Sequence, residues 1–114
     1  MIFVIDDDEI MAECLARAAG GAMVFTNAIE AMQAIAAGKI PKLIFLDLLL
    51  DGPDGITFLH ELMSYVDTAT IPVVVVSSLD LKLENLSSYG VVGMINKDTL
   101  TPEEVKEYVE NYTE

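Results

Sequence analysis

The sequence predicts an α/β fold: a three-layer, doubly wound sandwich of five parallel strands with helices on both faces. Two observations carry this. Five short apolar runs, residues 2–5, 22–25, 43–46, 71–76 and 91–95, are rich in β-branched and aromatic side chains and do not alternate cleanly with polar ones. Strands buried on both faces have that composition. Stretches with helical spacing separate the runs, and strands alternating with helices call for right-handed crossovers and a parallel sheet. With 114 residues and 53% hydrophobic content, the chain is expected to form one domain with one collapsed core.

The elements follow in order. After the first run, Met11, Cys14, Leu15 and Ala18 recur at three and four and predict a helix with those residues on its buried stripe, capped by Asp8. Ile29, Met32 and Ile35 predict a second helix, and Ile56, Leu59 and Met63 a third. Leu79, Leu83 and Leu86 make a weaker fourth set within a short polar segment, so that helix is expected to be abbreviated or mobile. Val105 and Val109 mark the last helix, with Thr101 as N-cap, Pro102 in its first turn and Glu104 as capping-box partner.

Charge narrows the function. Six Lys and Arg against nineteen Asp and Glu give −13, a surface that repels nucleic acid and anionic lipid and suits divalent cations or basic partners. The single cysteine, Cys14, has no internal disulfide partner, which points to a reducing, cytoplasmic setting. The opening residues lack a secretory signal pattern, and no apolar run reaches the roughly 18 residues of a membrane span.

In a doubly wound sheet the functional crevice lies at the carboxyl ends of the strands. The first run ends in Asp6-Asp7-Asp8, the third in Asp47, the fourth in Ser77-Ser78 and the fifth in Asn96-Lys97-Asp98. Three acids in a row exceed what a helix cap needs, and an isolated carboxylate such as Asp47 is costly in a core. Carboxylates gathered at one edge repel unless a cation compensates, and Mg²⁺ suits a site of one or two carboxylates with waters and phosphate oxygens. A lysine and a hydroxyl beside them can stabilise a transferring phosphoryl group, and a carboxylate can accept it.

Asp6-Asp7, Asp47, Ser77 and Lys97, with Asp54-Gly55 seven and eight residues after Asp47, resemble the signature of response-regulator receiver domains of two-component signalling, over essentially the whole chain, 1–114. The resemblance implies the flavodoxin-like strand order 2-1-3-4-5. It implies that Asp47 accepts a phosphoryl group from a sensor histidine kinase or a histidine phosphotransfer protein. It implies Mg²⁺ as cofactor, ligated by Asp7, Asp47 and the Leu49 carbonyl, with Asp6 acting largely through water. Lys97 would pair with the phosphoryl oxygens, and Ser77 would move toward them and bias a protein–protein surface to its active state. Such a domain is a signalling phosphoacceptor that catalyses only its own phosphotransfer and self-dephosphorylation. The positions that border the hydrolytic water in receivers, two residues after the acceptor and two after the hydroxyl, are here Leu49 and Leu79, which predicts slow self-dephosphorylation. Ile10, Met11 and Cys14, across from residues 50–53, are expected to form the kinase docking rim.

Three positions depart from the pattern: Asp51 and Asp98 stand where proline is common, and Met94 stands where an aromatic usually rotates on activation. Two rivals remain open. A haloacid-dehalogenase-like phosphohydrolase would use Asp6 as nucleophile, yet needs an acidic pair on a later strand end. After Lys97 there is only Asp98 and a helix with Glu103, Glu104, Glu107 and Glu110. The other rival is a receiver fold that binds partners without phosphorylation. A dinucleotide-binding domain is excluded, because no glycine-rich turn follows the first run. His60 lacks a nucleophilic partner and is expected at the surface or half-buried.

Overall fold

Runs too apolar to leave either face in water must lie between layers. The computed structural model, which describes residues 1–48, 55–78 and 86–113, places them so. β1 (Ile2–Ile5), β3 (Leu43–Leu46) and β4 (Val73–Ser77) are buried along their whole length. They form the middle of a five-stranded sheet, parallel throughout, whose edges are β2 (Met23–Phe25) and β5 (Val91–Asn96). The order β2-β1-β3-β4-β5 is the predicted one. One face, with Ile2, Val4, Phe45, Val74 and Ile95, is covered by α1 (Glu9–Ala18) and α4 (Pro102–Tyr112). The other, with Phe3, Ile5, Leu46 and Val75, is covered by α2 (Ala28–Ala36) and α3 (Gly55–Met63). Phe3, Phe45 and Phe58 are fully buried, and each such side chain stabilises by roughly 1.5–3 kcal/mol.

The helix ends follow the local chemistry. Asp8 accepts from the amides of Ile10 and Met11 and caps α1. Thr101 and Glu104 close the capping box of α4, with Pro102 in its first turn. Asn27 caps α2 by accepting from Glu30 N–H, a cap the apolar spacing does not reveal.

The helix faces differ from the predicted stripes. Cys14 is exposed and Ala12 is buried instead. Ala12 and Leu15 point at the sheet, and Cys14 sits about 100° around the helix from Leu15. On α2 the buried set is Ala28, Ala31 and Ile35, while Ile29 is exposed. On α3 it is Phe58, Leu59 and Leu62, while Met63 faces outward. The rest of each predicted stripe holds: Leu15, Ile35 and Leu59 are buried, and Met11, Ala18, Met32 and Ile56 pack against the core, so only Cys14, Ile29 and Met63, at the margins of their stripes, stay out. The strand limits shift too. β2 starts one residue late, and β4 runs from Val73 to Ser77 because Pro72 has no N–H to donate. β5 extends to Asn96. Residues 79–85 lie outside the described part, so the fourth helical set is represented by Leu86, which is buried, followed by a single 3-10 turn at Ser87–Tyr89. Among the described residues no peptide is cis.

β5 carries an irregularity that matters for the site. Val73 pairs with Val91, but Val74 pairs with Gly93, so one extra residue is inserted in β5. Val91 accordingly packs on the α2/α3 face and Ile95 on the α1/α4 face, although both numbers are odd. Gly93, within this stretch, makes room for α4: the Tyr108 ring lies over it, where a Cβ would overlap the ring. Burial pushes the Tyr108 hydroxyl pKa above its ordinary value.

Candidate metal and phosphoryl site

Acid or base follows three strands at the same sheet edge: Asp6 after β1, Asp47 after β3, Lys97 after β5. Ser77 is the last residue of β4. The ladder holds their backbones in place. Asp6 N–H donates to the Phe25 carbonyl at 3.0 Å, Asp47 N–H to Ile5 at 2.9 Å and Lys97 N–H to Ser77 at 3.0 Å. The site is therefore built on the sheet itself, which gives more precision than a loop would.

The side chains converge. Lys97 Nζ lies 3.0 Å from Asp47 Oδ2 and 3.1 Å from Asp6 Oδ2. Asp6, Asp47 and Ser77 are 1%, 5% and 2% exposed. The extra residue in β5 brings Lys97 to the sheet face shared by Asp6 and Asp47; without it the alternation would send the lysine the other way. Lys97 donates an aligned hydrogen bond to Asp47 Oδ2 at 3.0 Å. Asp6 Oδ1 accepts from Asp8 N–H at 2.9 Å. Asp6 Oδ2 has the charge of Lys97 beside it but no aligned donor, which leaves a buried carboxylate oxygen short of a partner. Burial pushes the Asp6 carboxyl pKa up, and the opposing pull of the Asp8 amide and of Lys97 does not cancel it. Burial also works against the charge of Lys97, but its close contacts with the Asp47 and Asp6 carboxylates outweigh it and hold its pKa above the ordinary value.

Asp6, Asp7 and Asp47 each offer a carboxylate oxygen, all within 4.8 Å of one another. Against three such acids Lys97 supplies one positive charge. An oxygen-only donor set with excess negative charge suits a hard divalent cation, and the under-partnered Asp6 Oδ2 is the kind of atom that such a cation satisfies. The residues present fit Mg²⁺.

A family model described as the response regulator receiver domain matches residues 2–110. The chain belongs to the receiver-domain family of response regulators. Among solved structures it resembles the receiver domain of NtrX from Brucella abortus, at 25% identity and a TM-score of 0.81 over 97% of this chain and 96% of that one. It also resembles the phosphorylated cyanobacterial phytochrome response regulator RcpA, at 25% identity and a TM-score of 0.76 over 96% of this chain and 88% of that one. A two-component response regulator from Clostridium difficile shares the fold at 24% identity, with a TM-score of 0.79 over 96% of this chain and 92% of that one. Comparison with curated protein sequences gives no match. As a receiver domain the protein is a signalling phosphoacceptor of the two-component type, and neither the phosphohydrolase nor the phosphorylation-independent alternative is favoured.

Of the receiver domain's predicted site residues, Asp6, Asp7, Asp47 and Lys97 come together, and Ser77 ends the adjacent strand, buried. Leu49, residues 50–53 and Leu79 lie outside the described residues. Ile10 is 79% exposed and Cys14 is exposed beside it, while Met11 is half-buried against the α1/α4 core. His60 is exposed, its ring edge-on to Tyr89 at 4.9 Å. Met94 is half-buried against the α2/α3 core.

The sequence marks Gly55 by its spacing, and the structure shows what that glycine does. Its N–H donates to the Leu48 carbonyl at 3.0 Å. A Cβ there would stand 2.6 Å from Leu48 Cα and 2.9 Å from the Asp47 carbonyl oxygen. Glycine thus lets the start of α3 abut the backbone that carries Asp47. Both neighbours are main chain and cannot swing aside, so Gly55→Ala should lower stability by about 1–3 kcal/mol. It should also slow phosphorylation, measured by urea unfolding and by labelling rate. A variant with native stability and native labelling would show that the contact does not hold Asp47.

Proposed function

We propose that Asp47 takes the phosphoryl group in this receiver domain, with Asp6, Asp7 and Asp47 holding Mg²⁺. The observation that carries this is the position of Lys97 Nζ, bridging Asp47 and Asp6 over the carboxylate cluster. The donor is a phosphohistidine of a sensor histidine kinase or a histidine phosphotransfer protein. A carboxylate oxygen of Asp47 attacks phosphorus, the P–N bond breaks, and the imidazole leaves with the electron pair. Bound Mg²⁺ would neutralise charge on the phosphoryl oxygens. Lys97, already held against Asp47, reaches the same oxygens, and Asp6 keeps its ammonium at the site. The Ser77 hydroxyl supplies a further donor, and its approach to the phosphoryl group would bias the domain toward its active state.

The phosphodonor is delivered at the open edge of the sheet, and Ile10 beside the cluster offers an exposed apolar foothold for it. The setting is cytoplasmic, consistent with the absence, among the described residues, of any helix long and apolar enough to cross a membrane. Residues 1–114 act as one receiver unit whose output is a protein partner.

Exposure to acetyl phosphate tests the core of this. One phosphoryl group should appear by intact mass only when Mg²⁺ is present, and peptide mapping should find it on Asp47. Labelling on Asp6, or labelling indifferent to Mg²⁺, would overturn the assignment. Leu49 and Leu79 offer no hydrogen bond to an attacking water, so the phosphorylated protein should lose its label more slowly than its Leu49→Asn and Leu79→Glu variants. Decay of the native protein as fast as both would refute that part alone.

A further inference from the structure

The face covered by α2 and α3 is not closed: a groove of about 680 Å³ runs between them. α2 presents Ala28 and Ala36 to this wedge, and alanine leaves empty what a larger side chain would fill. Ile29 and Met32 supply accessible apolar lining, with the buried Phe58 in the wall, and Glu61, Tyr65 and Asp67 are among the residues that line it from α3 and the turn after it. Ile29 and Tyr65 are 53% and 55% exposed, and Val66 beside Tyr65 is 93% exposed, so apolar surface continues past the groove. None of the described lining residues is cationic.

We propose that this groove docks a basic amphipathic helix of a partner protein, its apolar side chains on Ile29 and Met32 and its lysines or arginines against Glu61 and Asp67. A trough between two helices is the shape that accepts a third helix. The charge selects its chemistry. A second copy of this chain would bring −13 against −13, and nucleic acid or anionic lipid would meet the same repulsion. A neutral apolar helix would cover the Glu61 and Asp67 carboxylates without pairing them, which costs free energy. A helix with a cationic border satisfies both requirements.

The groove does not contain Asp47, so its test uses the unphosphorylated domain and is independent of the phosphoacceptor assignment. The probe is a synthetic Leu/Lys amphipathic helix about 18 residues long, roughly 27 Å. Its controls are a scrambled peptide of the same composition and a Leu/Glu counterpart. Methyl NMR should show perturbations centred on Ile29 and Met32. Ile29→Lys, and separately Glu61→Lys with Asp67→Lys, should each weaken binding about tenfold, as loss of an interface anchor does. All three positions are exposed, so the fold is retained. Glu13→Lys on α1 should change little. Equal binding of the scrambled or Leu/Glu peptide, an equal loss in Glu13→Lys, or perturbations centred elsewhere would overturn the proposal. So would a concentration-dependent dimer abolished by Ile29→Lys, which would give the groove to a second copy instead.

Discussion

Asp47→Asn should take up no phosphoryl group from acetyl phosphate at any Mg²⁺ concentration, while keeping its fold. The amide is close in size to the carboxylate and still offers an oxygen to Lys97 Nζ, which stands 3.0 Å from Asp47 Oδ2. It lacks the nucleophilic anion, so the loss of labelling should be complete rather than partial. One charge is also removed from a cluster of three acids around a single lysine, so stability without Mg²⁺ should stay within about 1 kcal/mol of native or rise. Intact mass and urea unfolding measure the two effects. A labelled Asp47→Asn protein would place the acceptor on another residue.

Removing the lysine should act on both stability and chemistry. Lys97→Met leaves the Asp6 and Asp47 side chains, 1% and 6% exposed, facing each other without their cation. Deleting one partner of a buried ion pair costs about 3–5 kcal/mol, and the 17% exposure of the Lys97 side chain puts this case toward about 3 kcal/mol in Mg²⁺-free buffer. Because a bound cation stabilises only the folded state, Mg²⁺ should recover part of that loss, and should stabilise the variant more than the native domain. The double variant Lys97→Met/Asp47→Asn should regain stability without Mg²⁺, since one of the stranded charges is gone. Labelling by acetyl phosphate should fall about 100-fold in Lys97→Met, the usual cost of losing one electrostatic stabiliser. If Lys97→Met were as stable as the native domain without Mg²⁺, the bridge would not be neutralising buried carboxylates.

Much of the candidate site was legible before the structure, for a reason visible in Asp6, Asp47 and Lys97. Each follows a run too apolar to be anything but a doubly buried strand, and in a parallel sheet all such runs end at the same edge. Residue type and strand end together placed the carboxylates and the lysine at one crevice. Caps were legible where a side chain answers a nearby amide, as with Asp8 and with Thr101 and Glu104. The role of Gly55 was not, because what it avoids is the backbone of Leu48, which only folding brings near. Gly93 inside a strand did carry a signal for a bulge, and it passes unnoticed beside the stronger motif.

By itself, the sequence determined the layer architecture, the strand order implied by its family signature, and the acids and base that meet at the sheet edge. These depend on local composition and on chain direction, and both are written in the order of residues. Tertiary structure alone decided which residues at the margins of the apolar stripes of α1, α2 and α3 stay out of the core, and which face of the sheet receives Lys97. Apolar residues surround most of α1 and α2, so Ile29 and Ala28, or Cys14 and Ala12, compete for the core, and spacing does not rank them. The sheet settles the contest by closeness of approach: the alanines go in, and Ile29 and Cys14 stay out. Lys97 depends on one extra residue in β5, because a pleated strand alternates its sides and a single insertion reverses every position after it.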